Sequence, residues 1–330
     1  MYQRLRAVII LIIFVSCLLN PFGMELQGSS LNYKNTCRKV NVAIFAGRRV
    51  WYEGKTACLN MFTWMNLSVT FVFADDIRNG SLSNFDLLCM PGGWAYGFYE
   101  DLRWDGASKI LDFVRRGGAY LGICAGAFYT CDYIVWEGIR HDYPIGLFPG
   151  YGIGPLDEIP WPNYNITRID IVNHAHPITS SEPAYEHILY YGGPELHPYE
   201  GTEVTILATY NSSGQPAIVA FEYGAGRVFL CSPHPEIEED SLRDGTSFGE
   251  EFDDQGSDWP LMYETVRWLV FHEDINGDGM INMVDISLVA IAFGSKLGDQ
   301  NWNPAADINS DGSINIIDIA MVARKFGKSL

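Results

Sequence analysis

The stretch Ala119-Tyr120-Leu121-Gly122-Ile123-Cys124-Ala125-Gly126-Ala127 decides how this chain reads. Ala119 to Ile123 is an apolar run suited to a buried strand, and the small residues behind it suit a sharp turn into a helix. Such a turn exposes the side chain at its apex, places the sulfur near a helix start and leaves backbone N–H groups free beside it. That is where a nucleophilic cysteine belongs. Roughly 110 residues later, behind the apolar strand Gly226-Arg227-Val228-Phe229-Leu230, comes Ser232-Pro233-His234-Pro235-Glu236. Cys124, His234 to take its proton and Glu236 to orient the imidazole are the parts of a thiol triad.

Around this stretch, short apolar strands alternate with helical segments. The pattern predicts strands over Val40 to Phe45, Val69 to Ala74 and Phe85 to Met90, a helix from Gly54 to Met65 and another from Ala107 to Arg116. In the latter, Ile110, Leu111, Phe113 and Val114 share one apolar face. Such alternation implies a parallel sheet covered by helices. Ligands meet these sheets at the carboxyl ends of the strands. Pro91-Gly92-Gly93, Cys124 and His234 all fall at such ends, so their convergence is a geometric expectation. The N–H groups of Gly92, Gly93 and Ala125 are candidates for an oxyanion hole, because glycine lets backbone approach a substrate closely.

Further strands are predicted near Ile188 to Tyr191, Val204 to Tyr210, Ala217 to Tyr223 and Arg227 to Cys231, partly antiparallel. An amphipathic helix from Trp259 to Phe271 then closes the domain. Between Tyr133 and Ser181 the chain is rich in Pro, Gly and aromatics and reads as irregular structure overhanging the sheet, a place for substrate selection. Trp94, Tyr96, Phe98, Tyr99 and Trp136 either stack a sugar ring or fill the core. His174 and His176 lack a third metal ligand by spacing and read as loop or site-lining residues.

At 330 residues the chain accommodates one large domain and a small one. Its net charge of -18 argues against nucleic acid or an anionic membrane surface as partner. Arg4 and Arg6 precede an uncharged run from Ala7 to Leu19 and then Asn20-Pro21-Phe22-Gly23. Residues 1–24 therefore read as a signal peptide, with an uncleaved membrane anchor as the alternative. Sequons at Asn66, Asn79, Asn165 and Asn211 agree with export. A free Cys124 leaves at least one more unpaired thiol among Cys37, Cys58, Cys89, Cys131 and Cys231, so disulfides do not frame the fold. Cys37 with Cys58 is the first pair to test.

The C-terminus repeats itself. Asp274-Ile275-Asn276-Gly277-Asp278-Gly279-Met280-Ile281-Asn282-Met283-Val284-Asp285 recurs 33 residues later as Asp307-Ile308-Asn309-Ser310-Asp311-Gly312-Ser313-Ile314-Asn315-Ile316-Ile317-Asp318. Calcium takes hard oxygens, and each loop offers them at positions 1, 3, 5, 9 and 12, with a backbone carbonyl at 7 and glycine at 6. Two Ca2+ sites are expected. One uses Asp274, Asn276, Asp278, Met280, Asn282 and Asp285. The other uses Asp307, Asn309, Asp311, Ser313, Asn315 and Asp318. Each loop leads into one apolar-faced helix.

The Pro91-Gly92-Gly93 turn, the Gly122 to Ala127 elbow, Tyr190-Tyr191-Gly192-Gly193-Pro194 and His234-Pro235-Glu236 together resemble the class I glutamine amidotransferase-like superfamily. Within it, the likeness is closest to the domain at the N-terminus of some biotin-protein ligases, over about Val40 to Val270. The resemblance implies a flavodoxin-like α/β fold, a mostly parallel sheet sandwiched by helices, over a domain at 38–272. It implies Cys124 as nucleophile, His234 as general base and Glu236 as orienting carboxylate. It does not carry glutamine as substrate: glutamine-hydrolysing members resemble Gly-x-Cys-x-Gly-His-Gln, whereas Ala127 and Phe128 follow Gly126 here.

The two calcium loops, each ending in Asp, resemble a type I dockerin, a small all-α domain at 273–330. That resemblance implies docking to a cohesin-type domain on a scaffold or cell surface, commonly in polysaccharide-degrading assemblies. The alternative is a calcium-stiffened cap on the chain's own enzyme domain. The combined expectation is an extracellular or cell-surface cysteine hydrolase or amidase acting on C–N bonds of a small molecule, peptide or glycan. Membrane contact would come only through an uncleaved leader. A non-catalytic ligand-binding module displayed by the dockerin is the alternative.

Overall fold

The computed structural model describes residues 38–238, 241–309 and 311–329, so the leader over 1–24 and Cys37 lie outside the described residues. Residues 39–271 form one compact unit and residues 272–329 another.

The larger unit begins with β1 (Asn41–Phe45), α1 (Tyr52–Trp64), β2 (Ser68–Val72), α2 (Ala74–Arg78) and β3 (Leu87–Met90). It continues with α3 (Ala95–Arg115), β4 (Ala119–Ile123) and the single-turn α4 (Ala125–Phe128). Three short strands follow, β5 (Tyr133–Trp136), β6 (Ile139–His141) and β7 (Gly150–Gly154). Then come β8 (Asn165–Ile171), β9 (Tyr185–Tyr190), β10 (Glu195–Pro198), β11 (Val204–Tyr210), β12 (Pro216–Tyr223), β13 (Gly226–Cys231) and α5 (Trp259–Val270).

Nine strands make one sheet in the order β9-β8-β11-β12-β13-β4-β3-β1-β2. From β13 to β2 the neighbours are parallel; from β9 to β13 they are antiparallel. Four of the eight pairings are thus antiparallel, more than a mostly parallel sheet would have. The parallel half explains the opening sequence. Every residue of β3 and of β4 is buried, so these strands read as continuous apolar runs rather than alternating ones. Phe45, Phe98, Tyr129 and Phe148 fill the core beside them.

Two expectations are corrected. The helix predicted at Ala107 begins at Ala95 and is broken at Arg103 (φ 51°, ψ -169°). Its first half buries Phe98 and Leu102 but exposes Trp94, Tyr96 and Tyr99 nearby, so the apolar face is blurred by aromatics on the other side. The segment from Tyr133 to Ser181 is only partly irregular, since four strands interrupt it. It supplies β8 to the main sheet and most of a second sheet of order β10-β7-β5-β6. In β7 the inward positions are Gly150, Gly152 and Gly154. A Cβ on Gly152 or Gly154 would approach the Phe128 ring to 3.0 or 2.9 Å. Phe128 supplies the apolar mass that the strand lacks, and the usual hydrophobic alternation is therefore missing from the sequence.

Cys58, Cys89, Cys124, Cys131 and Cys231 are free. The neighbour of Cys58 is Cys89, with the two sulfurs 3.9 Å apart. No helix among the described residues is long and apolar enough to cross a membrane.

In the smaller unit, α6 (Met283–Ala292) and α7 (Ile316–Lys325) each start with the same capping box, Asn282 with Asp285 and Asn315 with Asp318. Ile286 and Val289 of α6 and Ile319 and Val322 of α7 are buried, and the helices pack on one another.

Candidate active site

β4 ends at Ile123, the chain turns at Cys124 with φ 51° and ψ -104°, and α4 starts at Ala125. A positive φ at a residue with a Cβ is a strained conformation that the surroundings must hold. They do so through the Cys124 N–H, which donates to the Cys231 carbonyl at the end of β13 (2.9 Å). Cys124 keeps 5% of its surface exposed, and its sulfur lies 3.5 Å from the Tyr191 carbonyl oxygen.

His234 follows β13 and is anchored by its own N–H to the Leu189 carbonyl (2.8 Å). Its Nδ1 is 2.9 Å from Glu236 Oε1, and both side chains are fully buried. Nε2 has no oxygen or nitrogen partner among the described residues, while the Cys124 side chain lies within interaction range of the ring. Two residues grip the imidazole. The Trp51 indole meets it edge-on at 5.0 Å, and a Cβ on Gly92 would come within 2.7 Å of Cε1.

Burial works against a charged imidazole here, but the Glu236 carboxylate and the Cys124 sulfur outweigh it and push His234 up to about 10. Because the folded value lies above the ordinary 6.5, the stabilisation from the charged ring is complete below about 6.5. It is lost as pH rises through about 10. The melting temperature is expected to fall between about pH 7 and about pH 10, and to fall less over that range in a His234→Gln variant. Parallel curves for the two proteins would show that the ring is neutral.

The glycine turn splits its candidates. The Trp51 N–H donates to the Gly92 carbonyl (2.9 Å) and the Trp94 N–H to the Arg49 carbonyl (3.0 Å). Gly92 packs on His234, whereas Gly93 lines a cavity together with Cys124 and Ala125. Neither the Gly93 nor the Ala125 N–H makes a hydrogen bond among the described residues.

That cavity has a volume of about 330 Å3. Trp94 and Tyr96 from the start of α3, Phe128 from α4 and Ile134 and Trp136 from β5 form part of its wall. His141, Tyr143, Trp161, Tyr191 and Gly192 complete it. Rings touch in series from this wall to the imidazole. Phe128 meets Trp136 (5.9 Å), Trp136 meets Trp161 (6.0 Å), and Trp161 stacks on Tyr191 (4.9 Å, 21°). Tyr191 meets Trp51 (5.5 Å), which holds His234.

Of the aromatics singled out in the sequence, Trp94, Tyr96 and Trp136 line the cavity, Phe98 is core, and Tyr99 is an exposed neighbour of Tyr96. Sequence reasoning missed Trp51, Tyr143 and Trp161. Trp161 carried a signal, since it sits between Pro160 and Pro162. His174 and His176 do not line the cavity. His176 packs on Trp268 at 5.1 Å, and burial, with Arg227 nearby, lowers it to about 4.

In the C-terminal unit the repeated loops fold alike. Asp274 accepts from the Asp278 and Gly279 N–H groups, and Asp307 accepts from those of Asp311 and Gly312. The buried Asp285 accepts from the Ile275 and Asn282 N–H groups, and Asp318 from those of Ile308 and Asn315. Asn276 bonds Asp278, and Asn309 bonds Asp311, each at 2.9 Å. With the carboxylates turned to backbone N–H groups, no three His, Cys, Asp or Glu side chains gather at metal-site spacing among the described residues. The donors themselves, three carboxylates, two amides and a carbonyl per loop, are hard oxygens of the kind calcium takes.

Residues 40–258 match the family described as biotin-protein ligase, N terminal, and residues 272–327 match the type I dockerin domain. A biotin–protein ligase of Schizosaccharomyces pombe is 31% identical over 164 residues, 46% of this chain and 25% of that protein. An uncharacterized protein of Chlamydia muridarum is 32% identical over 158 residues, 46% of this chain and 60% of that protein. The chain therefore spans less than two thirds of the length of either relative. The crystal structure of a thua-like protein from Bacteroides uniformis superposes with a TM-score of 0.51 at 14% identity, covering 73% of this chain and 95% of that one. That last likeness is one of fold alone.

Proposed function

The chain belongs to the family of biotin-protein ligase N-terminal domains and carries a type I dockerin domain behind it; from that premise we propose a cysteine-dependent hydrolase or amidase docked to a cohesin-type partner. The observation that carries the catalytic reading is the buried Glu236–His234 pair aimed at a thiol on a strained turn. Cys124 sulfur attacks the carbonyl carbon of a C–N bond. The Gly93 and Ala125 N–H groups receive the oxygen's developing charge, with Gly92 behind the imidazole. His234, held protonated by Glu236, gives its proton to the leaving nitrogen. Water then attacks the thioester, His234 takes a proton from it, and the acid and the free thiolate separate.

The strand order β2-β1-β3-β4-β13 supports a flavodoxin-like assignment within the glutamine amidotransferase-like superfamily, with domains at 38–272 and 273–330. A signal peptide or anchor at 1–24 would place the protein outside the cell or on its surface, in keeping with the exposed Asn66, Asn79, Asn165 and Asn211. Two calcium ions would be held by Asp274, Asn276, Asp278, Met280, Asn282 and Asp285 and by Asp307, Asn309, Asp311, Ser313, Asn315 and Asp318. The metal supplies charge that offsets carboxylate repulsion and so sets the start of each helix. The docked assembly would be one that degrades polysaccharide, with a small molecule, peptide or glycan as substrate.

Intact-protein mass spectrometry after incubation with activated acyl donors tests the chemistry. A single acyl adduct on Cys124 is expected, absent from Cys124→Ser. Saturable ligand binding with an unmodified thiol would make the unit a binding module instead.

A further inference from the structure

Gly93, Cys124 and Ala125 line the same cavity as the aromatic wall. A carbonyl held at the sulfur with its oxygen toward the Gly93 and Ala125 N–H groups therefore has that cavity for its acyl substituent. Among the described residues no Asp, Glu, Lys or Arg side chain lines it, and its one imidazole is that of His141. The wall is built from Trp136, Trp161, Tyr191, Phe128, Ile134 and Tyr143. A carboxylate there would lose its water against a wall with no Lys or Arg and only the His141 ring to face it, an ammonium would find no carboxylate, and an aminoacyl group would bear both costs. A flat apolar group gains both from leaving water and from ring contacts, and the Trp161–Tyr191 stack and the Trp136 edge offer it two orientations of π-face.

We propose that the acyl group accepted at Cys124 is uncharged and largely apolar, with an arylacyl group the best fit. The assignment rests on Cys124 being the nucleophile. It also accounts for the missing His-Gln behind the elbow, where Phe128 turns its ring to the cavity and to Trp136.

The test compares the 4-nitrophenyl esters of phenylacetic acid and of 4-carboxyphenylacetic acid on the full chain. Cys124 acylation is followed by mass spectrometry, and each rate is divided by that of the same ester with free cysteine. Phenylacetyl transfer is expected to be faster by about 100-fold, and Trp136→Lys to reduce the gap below about tenfold. Iodoacetamide, too small to need the cavity, reports the nucleophile alone. 4-Carboxyphenylacetyl transfer as fast as phenylacetyl, with alkylation still dependent on His234, would overturn the acyl-group assignment and leave the nucleophile standing. Alkylation indifferent to His234 would overturn the nucleophile, and the assignment with it.

Discussion

A His234→Ala variant is expected to lose about 100-fold in the rate at which iodoacetamide alkylates Cys124 near neutral pH. The magnitude follows from what the imidazole does in the folded protein. It is the buried cation beside the sulfur, held in place by Glu236 at 2.9 Å and charged across the neutral range. Removing it leaves the thiol to ionise without that partner. The other described thiols do not blur the measurement. Burial pushes Cys58, Cys131 and Cys231 up in pKa, and these three and Cys89 are wholly inaccessible. Peptide mapping should place the fast-reacting site at Cys124 and show its loss in Cys124→Ser. Because the alanine leaves Glu236 buried without its partner, Glu236→Gln serves beside it as a near-isosteric change that keeps the ring. It is expected to slow alkylation about tenfold with the fold retained by near-ultraviolet circular dichroism. A rate unchanged in both variants would end the triad reading.

Chelating calcium is expected to unfold residues 272–329 while leaving residues 39–271 intact. Each loop crowds three carboxylates into twelve residues, and the unit has fewer than ~60 residues from which to build a core. Binding energy released by the metal is then folding energy. At a hundredfold excess over the dissociation constant, one site contributes about 2.7 kcal/mol. A calorimetric scan should show a transition that disappears with a chelator and returns with calcium. Limited proteolysis should cut within α6 or α7 only in the chelated sample. Titration calorimetry should give two sites, and the double change Asp274→Ala with Asp307→Ala should give none. A scan indifferent to calcium would mean that the loops' internal hydrogen bonds suffice to hold the unit.

Those loops and the elbow were legible because their residues are dictated locally. Glycine at loop position 6, oxygen donors at fixed offsets and an asparagine cap need only their near neighbours, and a fully buried parallel strand shows its apolar run without any partner being known. His234 and Glu236 could be paired in advance because only Pro235 separates them along one short segment. The second sheet was not legible, since its buried face is glycine and the side chain that fills it, Phe128, comes from another element. Trp51 escaped for a similar reason. Nothing near it in sequence marks it, and its importance comes from meeting His234, Tyr191 and Phe248, all far along the chain.

The pairing of β4 with β13 has a consequence in time. Cys124 stands at the end of one strand and His234 just beyond the other, and the elbow's own N–H is tied to the last residue of β13. That later strand does not add to a free edge of a finished sheet; it slots between β4 and β12, in the middle. A growing or half-folded chain thus holds the cysteine without its histidine, its turn unsecured, until more than a hundred further residues have been made and threaded into place. On the proposed reading the thiol would stay unactivated until that central strand is in place, because both its histidine and the hydrogen bond that secures its turn arrive with it.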